Sequence, residues 1–175
     1  MYQIGQQVLY GIHGVCAVTA IEPMRFGKTK ADYYILQPLS QPDSKYYIPV
    51  NNEAAVAKLR PLMTRQEILE LLHSESVRQD VWVSDENQRK LRFRELLTKG
   101  ERSEILSMIY CLHRHKNEQL SLGRKFHQCD EGFLKDAEKL MNAEFAHVLG
   151  IEPGQIGAYI LKEIEQAESV RADAV

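Results

Sequence analysis

The chain changes its period once. Over the first fifty residues apolar and polar positions alternate in short runs, and beyond Pro49 they recur at helical spacing. In residues 6–10, Val8 and Tyr10 alternate with Gln7 and Leu9, the period of a strand, before Gly11 and the His13-Gly14 pair interrupt it. Residues 15–22 are rich in β-branched side chains and predict a second strand ending at Pro23. Residues 24–31, with Gly27 between basic residues, read as a hairpin loop. Residues 32–39 and 45–50 predict two more strands, separated by a turn rich in Ser, Pro and Asp at 40–44. Four or five short antiparallel strands over about 50 residues are expected to curl into a small, strongly twisted barrel. Pro49 places the end of the last strand at an edge or a terminus.

Residues 64–75 open on Thr64 with Glu67 three positions on, a capping box, and then place Ile68, Leu71 and Leu72 on one face. Residues 76–83 read as a linker or helix junction. Ser84 can cap the next helix, which carries Phe93, Leu96 and Leu97 on one side and stops at Gly100. A helix over 101–120 follows, with Ile105, Met108, Ile109 and Leu112 at helical spacing. Gly123 breaks the pattern, and Asp130 stands as N-cap of a helix striped by Phe133, Ala137, Leu140, Met141 and Val148. Pro153 leads into a last helix through Ile156, Tyr159, Ile160 and Ile164. The expectation is an α+β chain of two domains. It has a small antiparallel β-barrel at 1–60, a helix and linker at 61–83, an all-α domain at 84–168 and a disordered tail at 169–175.

Composition adds a polarity that the formal net charge of −2 conceals. Residues 84–127 hold ten Lys or Arg against six Asp or Glu, and residues 129–175 hold four against ten. A basic helical centre followed by an acidic end is a surface able to attract phosphate. The three cysteines, Cys16, Cys111 and Cys129, are scattered and suit free thiols in a reducing cytoplasm. No apolar run approaches the roughly 20 residues that span a bilayer, so no membrane association is expected.

Catalysis and metal chemistry find little support in the residue order. His113 and His115 are two apart within a helix, where side chains diverge. His127 and Cys129 lack a second pair at zinc spacing. No nucleophile stands in a recognisable elbow or Gly-rich loop. The expectation is a binding protein with no catalytic residue, no metal site and no cofactor.

The edge segment Lys45-Tyr46-Tyr47-Ile48 is a possible template for a partner's strand. Alternation assigns Tyr46 and Ile48 to the core and Lys45 and Tyr47 to a solvated face. Its surroundings carry a resemblance. Ile4-Gly5, Val8, Tyr10 and His13-Gly14, then Tyr33-Tyr34-Ile35-Leu36 and Tyr47-Ile48-Pro49-Val50-Asn51-Asn52, resemble the polymerase-interacting domain of the CarD family of bacterial transcription regulators. The helical half resembles the same family through Glu95-Leu96-Leu97, Gly100, Leu120-Ser121, Gly123 and Lys125. The front part is also similar to a module of the transcription-repair coupling factor.

The resemblance implies a Tudor-like or SH3-like barrel that docks on the β subunit of RNA polymerase. It also implies a helical domain that meets promoter DNA, without sequence preference, at the upstream edge of the melted bubble. A cytoplasmic monomer that alters open-complex stability and catalyses nothing is the implied whole. Carried over by position, the polymerase contacts are Arg25, Lys45, Tyr47 and Ile48. On the DNA side they are Trp82, as an indole wedge in the minor groove, with Arg89, Lys90, Arg92, Arg114, Arg124 and Lys125 on phosphates. Trp82 departs from the family pattern, whose tryptophan would fall near Glu86, one helical turn later. The rival reading is a protein adaptor of polymerase whose acidic helices bind another protein.

Overall fold

The computed structural model describes residues 1–27 and 29–172. The chain divides into two compact units, Met1–Met63 and Thr64–Val175. Among the described residues no helix is long and apolar enough to cross a membrane.

The first unit is an antiparallel sheet of five strands: β1 (Gln7–Tyr10), β2 (Val15–Phe26), β3 (Thr29–Pro38), β4 (Tyr46–Pro49) and β5 (Leu59–Pro61). Their order is β4-β3-β2-β1-β5, so the hydrogen-bonded ladder stays open and the expected closed barrel does not form. The sheet still wraps one core. Val8, Cys16, Val18, Tyr34, Leu36, Ile48 and Leu59 form a single buried cluster that draws on all five strands, including both edges. Cross-links secure it, with the Tyr2 hydroxyl donating to the Leu59 carbonyl at 2.7 Å.

The hairpin between β2 and β3 is longer than its sequence suggested. Both strands run through the segment read as a loop, turning at Gly27 (φ +63°), while Lys28 lies outside the described residues. Pro23 did not end β2 because β1 pairs with β2 only as far as Ala17. Past Val18, which Gly5 and Gln6 still bond, β2 has one free edge among the described residues, where a missing N–H costs no ladder bond. A register shift between Val18 and Ala20 leaves Thr19 as the extra, exposed residue, its hydroxyl donating to the Ile35 carbonyl. A single helical turn, α1 (Glu53–Val56), is capped by Asn52 and leads into β5.

The second unit is helical: α2 (Arg65–His73), α3 (Glu86–Lys99), α4 (Arg102–Ser121), α5 (Gln128–Leu149) and α6 (Ile156–Ala172). The capping box on α2 is present in both directions. Thr64 Oγ1 accepts from Glu67 N at 3.2 Å, and Glu67 Oε2 accepts from Thr64 N at 2.6 Å. Those bonds hold the Glu67 carboxyl below the usual carboxylate range. From Thr64 onward the segment read as helix and linker belongs to the helical unit, with Ile68, Leu72 and Val77 fully buried. α6 continues through Ala172, so the disordered tail expected at 169–175 is helical over its first four residues, and 173–175 lie outside the described residues.

α4 is the central helix. Every residue from Ile105 to Leu112 is buried, so it is covered all round where its pattern promised one apolar face. Ser107 is tolerated there because its hydroxyl meets the Ser76 and Ser103 carbonyls at 2.7 and 2.9 Å. Two capping expectations shift. Asp85, not Ser84, caps α3 through Gln88 N, and His127, not Asp130, caps α5 through Cys129 N. Asp130 is buried and occupied elsewhere.

Candidate functional site

On the sheet, Tyr34 and Ile48 pair across β3 and β4 and point into the core, so Tyr33, Ile35 and Tyr47 take the opposite face. Phe26, at the hairpin tip, folds onto that face. Its ring lies 5.0 Å from Tyr33 and 5.8 Å from Tyr47, centroid to centroid. Phe26 and Tyr47 remain 47% and 40% exposed, while Tyr33 is covered beneath them. Lys45 is exposed and two positions before Tyr47, hence on the same side by alternation. Among the described residues β4 pairs with no strand but β3, so it forms an edge of the ladder beside the aromatic patch.

Two of the four polymerase-contact expectations change on this geometry. Ile48 is 5% exposed and belongs to the core cluster, which removes its side chain from any docking surface. Arg25 is exposed, but it precedes Phe26 and so points to the other face of β2, where its Nε donates to the Gly27 carbonyl at 3.2 Å. Phe26 takes the place that Ile48 vacates. It was hidden because residues 24–31 read as a loop, in which no face is defined.

In the helical unit the half-buried Trp82 lies in the segment between a 3-10 turn at Glu75–Arg78 and α3. Its backbone N–H donates to Asp80 Oδ1 at 2.9 Å, a local turn that lowers the Asp80 pKa. The His115 imidazole stacks on the indole with centroids 3.7 Å apart and planes 16° from parallel. The Arg89 guanidinium carbon lies 4.3 Å from the ring centre. A ring stacked that closely fills one indole face and leaves the cation the other. Phe93 meets the indole edge-on. The indole therefore rests as a packed side chain; it does not stand out as a free wedge.

Arg89 is the clearest departure from expectation. It is 6% exposed and forks onto Asp130, Nε to Oδ1 and Nη2 to Oδ2, both at 3.0 Å. Its Nη1 donates to the Val83 and Ser84 carbonyls at 2.9 and 3.2 Å. All three guanidinium nitrogens are thus engaged inside the protein, and Arg89 is withdrawn from the set that can meet phosphate. Lys90 pairs with Glu86 one turn back on α3, and Arg92 with Glu95 at 3.8 Å. Solvent screens surface pairs of this kind, so both cations can change partner at little cost. Arg114 is exposed, 5.7 Å over the Tyr110 ring. Arg124 and Lys125 are exposed in the α4–α5 loop just after Gly123, and neither makes a side-chain ion pair among the described residues.

His113 and His115 diverge, the first to Glu138 Oε1 at 2.8 Å and the second to Trp82. Cys111, one turn before His115, donates its thiol to Asp80 Oδ1 at 3.3 Å. Burial, reinforced by that carboxylate, pushes the thiol pKa up to about 12.

Residues 2–63 match a family described as the CarD-like/TRCF RID domain, which is nearly the whole of the sheet unit. The N-terminal unit belongs to the CarD-like family. Across the full chain, "Putative transcription factor YdeB" of Bacillus subtilis (strain 168) is 25% identical over 163 residues, spanning 91% of this chain and 99% of that protein. Both comparisons point to transcription. The CarD-like unit supplies the strand edge and the aromatic patch, and the cations expected on phosphate, with Trp82, lie in the helical unit that follows it.

Proposed function

We propose that this protein is a transcription regulator that docks on the β subunit of RNA polymerase through the outer face and free β4 edge of its CarD-like unit, and that its helical unit meets promoter DNA at the upstream edge of the bubble. The observation that carries the reading is the open edge flanked by exposed Phe26 and Tyr47. Backbone groups on such an edge give affinity by adding a partner strand, and flanking side chains give specificity. Aromatic anchors commonly dominate such interfaces. The role is binding rather than catalysis, since the surfaces offered are a strand edge, aromatics and cations.

On the DNA side, Arg124 and Lys125 are the first contacts because no internal partner must be given up. Lys90, Arg92 and Arg114 follow. Phosphate contacts set position and carry no sequence information, which suits a factor delivered to promoters by polymerase. Trp82 contributes by exchanging His115 for an unpaired base. One stacking partner replaces another, and the net gain arises only with melted DNA, so the open state is favoured by differential binding.

Binding of the full-length protein to a polymerase β-lobe fragment tests the first half. Phe26→Ala and Tyr47→Ala are each expected to weaken it about tenfold or more, as removal of an anchor worth about 1–2 kcal/mol does. Lys45→Glu is expected to weaken it as well. Wild-type affinity in all three variants sinks the docking assignment.

One observation favours an adaptor role instead: residues 129–175 carry ten acidic side chains against four basic ones. Fork-junction DNA binding across a salt series separates the two. Replacing Arg124 and Lys125 by Ala is expected to reduce the log-log salt slope by about 2, one per lost phosphate contact. An unchanged slope and an unchanged open-complex lifetime favour the adaptor.

A further inference from the structure

Asp80, Cys111 and His115 come together beside Trp82 with one potential ligand atom each, all within 4.8 Å of one another. Cys111 and His115 are four residues apart on α4 and so share a face, while Asp80 reaches them from the segment before α3. The 3.3 Å between Cys111 Sγ and Asp80 Oδ1 is already near the ligand-to-ligand edge of about 3.5 Å in a tetrahedral site with metal–sulfur and metal–oxygen bonds of about 2.3 and 2.0 Å.

We propose that Asp80, Cys111 and His115 bind one borderline-soft divalent cation of the zinc class, with a fourth position open to solvent. The inference stands apart from the polymerase and DNA reading. One sulfur, one nitrogen and one oxygen donor disfavour magnesium and calcium, which take oxygen ligands. Three protein ligands and one open position is a familiar zinc arrangement. On loading, the Cys111 S–H bond breaks, its proton leaves to solvent and a sulfur–metal bond forms, so thiolate and carboxylate together neutralise the ion.

The surroundings divide the adjustment unevenly. Cys111 is fixed in the central helix and 4% exposed, whereas Asp80 is exposed and the His115 side chain is 25% exposed. The last ångström therefore closes from the exposed side of the site. The Trp82 backbone N–H orients the Asp80 carboxylate at 2.9 Å, and Glu118 Oε2 lies 3.8 Å from His115 Nδ1, within reach of that ring N–H. A cleft of about 480 Å³, lined also by Gln79, Arg114 and Asn117, supplies the entry path.

The test is a cobalt(II) titration of the reduced full-length protein. One equivalent is expected to produce a thiolate-to-cobalt charge-transfer band and tetrahedral visible absorption, both bleached by zinc. His115→Gln and Asp80→Asn, at accessible positions, are each expected to weaken binding at least tenfold. Cys111→Ser is expected to abolish the charge-transfer band, and Cys129→Ser to leave it intact. Absence of the band in the wild-type protein overturns the proposal. So does a band that survives undiminished in His115→Gln and Asp80→Asn, or one that disappears in Cys129→Ser.

Discussion

Arg89→Met is expected to destabilise the helical unit by about 3–5 kcal/mol, although the residue looks like one of several cations on a basic helix. The guanidinium meets both Asp130 oxygens and also satisfies the Val83 and Ser84 carbonyls. Removing it leaves a carboxylate whose side chain is 3% exposed without its counter-ion. It also frees the segment that carries Trp82, because the same group lies over the indole. A loss of this size lowers the melting temperature by roughly 10–20 °C in a unit of about 100 residues. Arg89→Met combined with Asp130→Leu is expected to recover most of the loss, since replacing both members of a buried pair by apolar groups is often neutral. Thermal melts of the wild type and the two variants, followed by Trp82 emission, decide the matter. If Arg89→Met melts like the wild type and weakens DNA binding instead, the residue is a phosphate contact after all.

Ile48→Ala and Tyr47→Ala are expected to separate stability from docking at adjacent positions. Ile48 fills the core cluster, and its truncation is expected to cost about 2–5 kcal/mol. It also weakens the edge strand that carries the docking surface. Tyr47 is exposed on the other face, and its loss is expected to change stability by no more than about 0.5 kcal/mol. Six of the eight tyrosines lie in residues 1–63, so near-UV circular dichroism in the tyrosine region reports this unit, while the single tryptophan reports the helical one. Ile48→Ala should lower the tyrosine-monitored midpoint and leave the tryptophan-monitored one in place. A Tyr47→Ala protein that melts as early as Ile48→Ala contradicts the assignment of faces.

The elements that were legible in the sequence are those whose signals are local. The Thr64–Glu67 capping box appears as read, with both bonds made. Gly100 terminates α3 in the left-handed conformation, as its position after a periodic run indicated. The alternation in 45–48 separated the Tyr47 face from the Ile48 face correctly, and it was the positional carry-over from relatives that placed Ile48 on the surface. Pro23 misled the strand boundary because its cost depends on whether a neighbour pairs there, which the local sequence does not state. Arg89 gave a faint warning: it sits four residues before the fully buried Phe93, on the same side of α3. Nothing local announced that Asp130 would meet it.

By itself the sequence determined the change from strand to helix period, the two-part α+β organisation, most helix starts and stops, and the kinship of the first unit, because each is written in residues within a turn or a strand of one another. Only the tertiary structure decided which cations stay free, since Arg89 and Asp130 are 41 residues apart and Asp80 and Cys111 are 31 apart. It also decided that the sheet stays open, that Phe26 joins Tyr47, and that both faces of Trp82 are occupied. Those outcomes depend on how packed elements bring distant side chains within a few ångströms, where burial turns a surface charge into a core ion pair.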